Sequence, residues 1–382
     1  MAVFYTFGFF LLSLCLPALA LALDFRAMLD ERYAPYADWA DRIDLAVLAP
    51  APPTAIWWRS PDAIRAARDE SALPLSGLHL ALDPGHIGGD WAEVEGRHFR
   101  IKADDLPVRE GELVLEVARL VKAVLVELGA EVSLLRESST PVNPRPPEAY
   151  FSQAAQRVPP PEVLSWAAFL DYGSALRREM NRMSVVSGDL IERARMTNEV
   201  IRPDALISLH INAAPWPLGQ AGQVDYKLVD SNHSHVLIFG CLSDAELSHQ
   251  QQRQQLEVKL TNGSAAIERE LGQALGGLIG QLTQLPPSLY AGKNATRLQG
   301  CTPYLWARNL LLLRYVECPT VLLEPYIANS VATYPRLQQA LQRRLANEAP
   351  ADDDILLEYV NAVVAGILAV YGPSGRSGPS GK

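Results

Sequence analysis

Three polar side chains stand at the ends of short apolar runs. Leu80-Ala-Leu-Asp-Pro-Gly-His86 places a histidine on a tight turn after one run, and Ala205-Leu-Ile-Ser-Leu-His210 places a second at the end of another. Thr320-Val-Leu-Leu-Glu324 finishes a third run with a carboxylate. In open α/β sheets the functional crevice lies at the carboxyl ends of the strands, so side chains stationed there can converge. Imidazoles and carboxylates are ligands for a transition metal, and together the three define a candidate metal site. Taken singly, a histidine at a strand end is more often a hydrogen-bonded rim residue.

Glu110 is a fourth candidate. At about 100° per residue it falls in line with Val114, Val117, Val121 and Val124 on the apolar stripe of a helix expected over Glu110–Leu128, whereas Glu112 and Glu116 point away. A carboxylate aimed at a core is costly unless something positive meets it. A metal ion, an arginine such as Arg109, or the positive end of the helix dipole could each do so. His79, His98, His233, His235 and His249 are further possible ligands that no spacing argument selects.

The elements that must position these residues are legible as short apolar strands alternating with helices. Strands are expected over 78–82, 131–135, 205–210 and 319–324, with a strand-like stretch over 224–240. Helices are expected over 24–49, 110–128, 162–183, 187–201 and 355–371, with a Gln-rich one near 248–260 and a short one ending about residue 70. This alternation predicts an α/β fold: a mostly parallel twisted sheet flanked by helices, in a single catalytic domain with inserted helical loops. The domain is expected over 77–372, with inserts near 138–187 and 216–300, after a helical N-terminal extension over 23–76. Residues 373–382 are Gly/Ser/Pro-rich and expected to be disordered. In the larger insert, Val163, Trp166, Ala167 and Leu170 recur at helical spacing, predicting a helix packed on the domain's side or one covering the groove. Ser243–Leu260 is a second possible cover.

The chain has 382 residues, 48% of them hydrophobic and 20% charged, an ordinary globular composition. A net charge of −9 argues against nucleic-acid binding through a broad basic face. Residues 1–22 carry no charged side chain; the run Phe9–Leu16 precedes Pro17 and an Ala-Leu-Ala-Leu-Ala segment, which reads as a secretory signal peptide. Localisation is therefore expected to be periplasmic or secreted, with membrane attachment only if the signal stays uncleaved. Cleavage leaves Cys241, Cys301 and Cys318, enough for at most one disulfide and one free thiol.

With these residues assembled, the sequence resembles a family. Asp83-Pro-Gly-His86, Glu110 followed by Leu115-Glu-Val-Ala118, Leu190-x-x-Arg193-x-x-x-x-Asn198, Ser208-Leu-His-Ile-Asn212-Ala and Val321-Leu-Leu-Glu324 follow one another as in the zinc-dependent N-acetylmuramoyl-L-alanine amidases of the third class. The resemblance spans blocks around 77–137, 187–215 and 310–371. It implies Zn2+ held by His86, Glu110 and His210, with Glu324 catalytic. Two imidazoles and one carboxylate leave a fourth zinc position for water, whose pKa the metal lowers toward about 7. Glu324 would take the water's proton and pass it to the leaving nitrogen. The bond implied is the amide joining N-acetylmuramic acid to L-alanine in peptidoglycan. Asp83 and Asn212 are expected as outer groups orienting the histidines. An activator protein acting on an inserted helix is the expected partner besides the peptidoglycan substrate.

The chain also departs from the family. Ile87 stands where glycine usually follows the first histidine, and Glu324-Pro325-Tyr326 replaces a common Glu-Gly-Phe. These departures touch the pocket more than the metal, so another zinc peptidase or deacylase on the same fold, or a non-enzymatic wall-binding regulator, are the competing functions. Retention of Glu324 beside all three ligands argues against the last, because binding alone needs no base.

Overall fold

The computed structural model describes residues 25–163, 165–217 and 226–373. The signal peptide expected over 1–22 and the tail from 374 onward lie outside the described residues. Among those described, seven strands form one mixed, largely parallel sheet in the order β4-β1-β5-β9-β6-β8-β7. They are β1 (His79–Pro84), β4 (Glu131–Leu134), β5 (Ala205–Leu209), β6 (His235–Phe239), β7 (Thr296–Arg297), β8 (Leu305–Arg308) and β9 (Thr320–Glu324). β2 (His98–Phe99) and β3 (Val108–Arg109) make a separate antiparallel hairpin. β4, β1, β5 and β9 run parallel, whereas β6 pairs antiparallel with β9, and His235 sits directly across from Glu324.

Both faces of the sheet are covered, which is why its strands read as near-continuous apolar runs. Val236, Ile238, Val321 and Leu323 turn to one layer, containing α2 (Glu110–Glu127), α4 (Ser264–Thr283) and α5 (Ile355–Tyr371). Leu237, Phe239, Trp306 and Leu322 turn to the other, where Phe25, Leu29, Tyr33, Trp39 and Ile43 pack on them. The helix expected over 24–49 is helical only through Tyr33, after which turns carry the chain. Its apolar residues are used to cover the sheet rather than to build a free-standing amphipathic helix.

Most expected elements lie within a few residues of their sequence positions. α2 ends before Gly129, whose φ of +96° is a left-handed conformation that glycine adopts without penalty. The strand-like stretch 224–240 contains one strand, β6; residues 218–225 lie outside the described residues. The insert helix, α3 (Trp166–Arg182), begins later than expected. Its expected packing is not observed: Val163, Trp166 and Leu170 are exposed, Trp166 stacks on Phe169, and Leu176 is its buried contact to a small cluster with Tyr150, Ala154 and Met183. α4, β7 and β8 have no counterpart among the elements expected from sequence. Cys241, Cys301 and Cys318 are all unpaired. Among the described residues no helix is long and apolar enough to cross a membrane.

Candidate active site

The sheet order brings the site together. β1, β5 and β9 are adjacent and parallel, so their carboxyl ends present His86, His210 and Glu324 side by side. The chain leaves β1, makes the turn carrying His86 and the short helix α1 (Trp91–Glu95), crosses the β2–β3 hairpin and enters α2 at Glu110. Glu110 thereby arrives at the same rim from above the sheet.

His86, Glu110 and His210 each offer one donor atom, all within 4.8 Å of one another. His86 Nε2 lies 3.4 Å from Glu110 Oε2, and His210 Nδ1 lies 3.0 Å from Glu110 Oε1. The two imidazoles meet edge to face with ring centroids 5.0 Å apart. Donors about 2.0–2.1 Å from a tetrahedral zinc are about 3.4 Å from one another, so the His86–Glu110 spacing and the donor set both fit such an ion. Of the other partners weighed for Glu110, Arg109 pairs with Glu112 instead, at 3.2 Å, whereas the helix dipole still acts, since Glu110 is the first residue of α2. Burial opposes ionisation of Glu110, but His86 and His210 more than offset it, and its pKa falls to about 2.

Two arginines hold the backbone beneath these side chains. Arg193 donates to Asp83 Oδ1 (2.6 Å), Asp189 Oδ2 (2.7 Å), the Pro84 carbonyl (2.7 Å) and the His86 carbonyl (2.8 Å). Arg136 donates to the carbonyls of Pro84, Gly85 and Gly111. His86 itself has φ +53°, an uncommon conformation for a side chain with a Cβ, and the two guanidiniums fix the turn that imposes it. Gly85 is required by contact: a Cβ there would lie 2.3 Å from His210 Cε1, inside the imidazole's space.

The outer groups expected from sequence act differently from one another. Asp83 touches neither imidazole; it is buried, accepts from Arg193 and from Ser208 Oγ (2.6 Å), and so reaches His86 through the arginine. Asn212 Oδ1 accepts from Ala213 N at 2.7 Å and has no histidine among its partners. A residue that sequence spacing does not pick out holds one of the candidate ligands: Glu95 Oε1 lies 3.2 Å from His86 Nδ1, and its Oε2 accepts from Ile87 N at 2.8 Å. A carboxylate on Nδ1 fixes the tautomer that leaves Nε2 as a metal donor. Glu95→Gln should therefore lower metal affinity about 10- to 100-fold with the fold intact. Competition titration against a chromogenic chelator, with circular dichroism as control, checks this; unchanged affinity would show that Glu95 is only a turn residue.

Glu324 lines a cavity of about 540 Å³ together with His86 and Glu110. A second cavity of about 240 Å³ lies against His86, His210 and Glu324 and is walled by Val185, Val186 and Leu190. Residues 243–260 line neither cavity, so that possible cover sits elsewhere. Burial pushes the Glu324 carboxyl above the usual range; His210 partly opposes the rise and the Glu110 charge adds to it. A carboxylate of raised pKa facing a cavity beside metal-ligand side chains is suited to receiving and returning a proton. Of the other candidate ligands, His79 pairs with Ser133 Oγ on the sheet edge, whereas His233 and His235 line the larger cavity.

No family model matches the chain. Over 144 residues it is 29% identical to the germination-specific N-acetylmuramoyl-L-alanine amidase of Bacillus subtilis, covering 38% of this chain and 43% of that protein. Over 83 residues it is 35% identical to the probable cell wall amidase LytH of Staphylococcus saprophyticus, covering 22% of this chain and 26% of that protein. The matched stretches thus span less than half the length of either relative. Among solved structures, the N-acetylmuramyl-L-alanine amidase Ami1 of Mycobacterium smegmatis superposes with a TM-score of 0.42 at 17% identity, covering 78% of this chain and 98% of that one.

Proposed function

We propose that this relative of the N-acetylmuramoyl-L-alanine amidases is itself a zinc-dependent hydrolase acting outside the cytoplasm, cleaving the amide between N-acetylmuramic acid and L-alanine in peptidoglycan. The observation that carries the reading is the convergence of His86, Glu110 and His210 within 4.8 Å, beside a cavity that Glu324 also lines. The named relatives supply the substrate class.

His86, Glu110 and His210 would hold the ion. The chemistry zinc supplies when bound is Lewis-acid activation of water and of an amide carbonyl. Glu324 takes the proton from the attacking water and delivers it to the amide nitrogen as the carbon–nitrogen bond breaks, so that the leaving peptide departs as a neutral amine. Glu110 stays ionised throughout the neutral range and cannot compete for that proton. The surroundings of the two carboxylates push their pKa values apart, which divides ligand from base. The activator expected on the insert would meet α3, whose exposed Trp166, Phe169 and Leu170 are set on one stretch of helix.

Purified protein incubated with zinc and intact sacculi should release free stem peptides with an L-alanine amino terminus, identified by mass. A metal chelator should stop the release and added zinc should restore it. Release of glycan fragments or of peptides cut at another bond would favour a different hydrolase on the same scaffold. Full activity in the presence of a chelator would remove the metal from the reading.

A further inference from the structure

His235 belongs to none of the roles above, yet it is placed where the reaction would occur. β6 runs antiparallel to β9, so its first residue lies at the rim where β9 ends, directly across from Glu324. The imidazole is 2% exposed. Its Nε2 lies 3.0 Å from Tyr290 Oη and 3.7 Å from Glu324 Oε2, while Nδ1 has no hydrogen-bond partner among the described residues. Tyr290 and His235 both line the 540 Å³ cavity.

The tautomer follows from these contacts. A proton on Nδ1 would be a buried donor with nothing to receive it, the costlier of the two orphan states. A proton on Nε2 points between two oxygens, the Tyr290 hydroxyl at hydrogen-bond distance and the Glu324 carboxylate just beyond it. Tyr290 Oη then accepts from His235, and its own proton is left for another acceptor. We propose that His235 is a positioning residue that orients the Tyr290 hydroxyl as a donor to a carbonyl oxygen of the substrate bound beside Glu324. This rests on the amidase reading above and adds to it two residues that line the same cavity as His86 and Glu110. Burial, with His233 and Arg308 nearby, lowers the His235 pKa to about 3, and burial raises that of Tyr290 to about 12, so both groups keep these forms across the neutral range. No proton changes hands at either residue; the donor stabilises charge that develops on the substrate oxygen.

Kinetics on a soluble muropeptide and a nitrogen-15 histidine spectrum of the full chain test the pair. Tyr290→Phe should reduce kcat by about a hundredfold with KM little changed, the effect of removing one preorganised donor. His235→Leu should give the same loss, and the double variant should lose no more than either single one, because the two act as a unit. His235→Gln, whose amide nitrogen can stand near the lost Nε2, should recover part of the rate. Melting temperature and zinc content separate these effects from misfolding. The spectrum should show His235 neutral with the proton on Nε2. Multiplicative losses in the double variant, an unchanged kcat in Tyr290→Phe, or a proton on Nδ1 would each overturn the proposal. An inert wild-type protein would instead sink the amidase reading, and the pair's role with it.

Discussion

Replacing Glu324 with glutamine should cost about 10²- to 10⁴-fold in kcat, the range expected for loss of a general acid–base group, while zinc content and melting temperature stay at wild-type values. The side chain keeps its size and its place at the end of β9, so only proton transfer is lost. The pH dependence carries the same signature. Because burial raises the Glu324 pKa, the acid limb of kcat/KM in the wild-type protein should lie above the ordinary carboxylate range. Below that limb the carboxyl is protonated and cannot accept the water's proton. Protonation of His210, whose pKa is raised by its hydrogen bond to Glu110 despite burial, would displace metal in the same direction. Measurement in excess zinc separates the two, since added metal competes with the histidine proton but not with the Glu324 proton. Wild-type turnover in Glu324→Gln would dismiss this residue as the base.

Arg193→Met is expected to destabilise the domain by about 3–5 kcal/mol, because Asp83 and Asp189 would remain buried without their cation. Calorimetry should place the loss at roughly 10 °C in melting temperature. Its pH dependence has a definite sign. In the wild-type protein burial works against the Asp83 carboxylate, but Arg193 and Ser208 more than offset it and lower its pKa. That stabilisation is fully present above the usual aspartate pKa and is lost as pH falls through the depressed folded value. In the variant the guanidinium is gone, Ser208 is left to oppose burial, and the Asp83 pKa rises from its wild-type folded value. The penalty is then greatest at neutral pH and shrinks on acidification, as the carboxyl takes up a proton. A stability gap that stays constant or widens on acidification would contradict this account of the cluster.

The parts legible in the sequence are those with local signatures. Strand-end placement pointed to His86, His210 and Glu324, and helical periodicity set Glu110 on the inward stripe of α2. Sheet adjacency of β1, β5 and β9 then brought the four to one rim, as the alternation of strands and helices implied. What the sequence could not show depends on pairings without a period. Glu95 reaches His86 from a five-residue helix, and nothing in its spacing distinguishes it from the neighbouring Glu93. His235 was one of five unassigned histidines until the antiparallel turn of β6 put it across from Glu324. The apolar residues of α3 carried a helical repeat that reads as a buried face, and only the tertiary placement shows that the face looks outward. The N-terminal segment likewise had the composition of an amphipathic helix, but its apolar residues cover a sheet face after a single helical stretch.

The two arginines beneath the ligand turn have a consequence for how the site could fill. Fixing a residue's backbone costs roughly 1–2 kcal/mol of conformational entropy, and a metal that had to order its own loop would surrender that much affinity at each position. Here the carbonyls of Pro84, Gly85, His86 and Gly111 are already bound by Arg193 and Arg136. The ordering is charged to folding rather than to ion capture. Metal binding at this rim would in that sense be a docking event on a prepared surface, unlike the small zinc modules whose chains collapse around the ion.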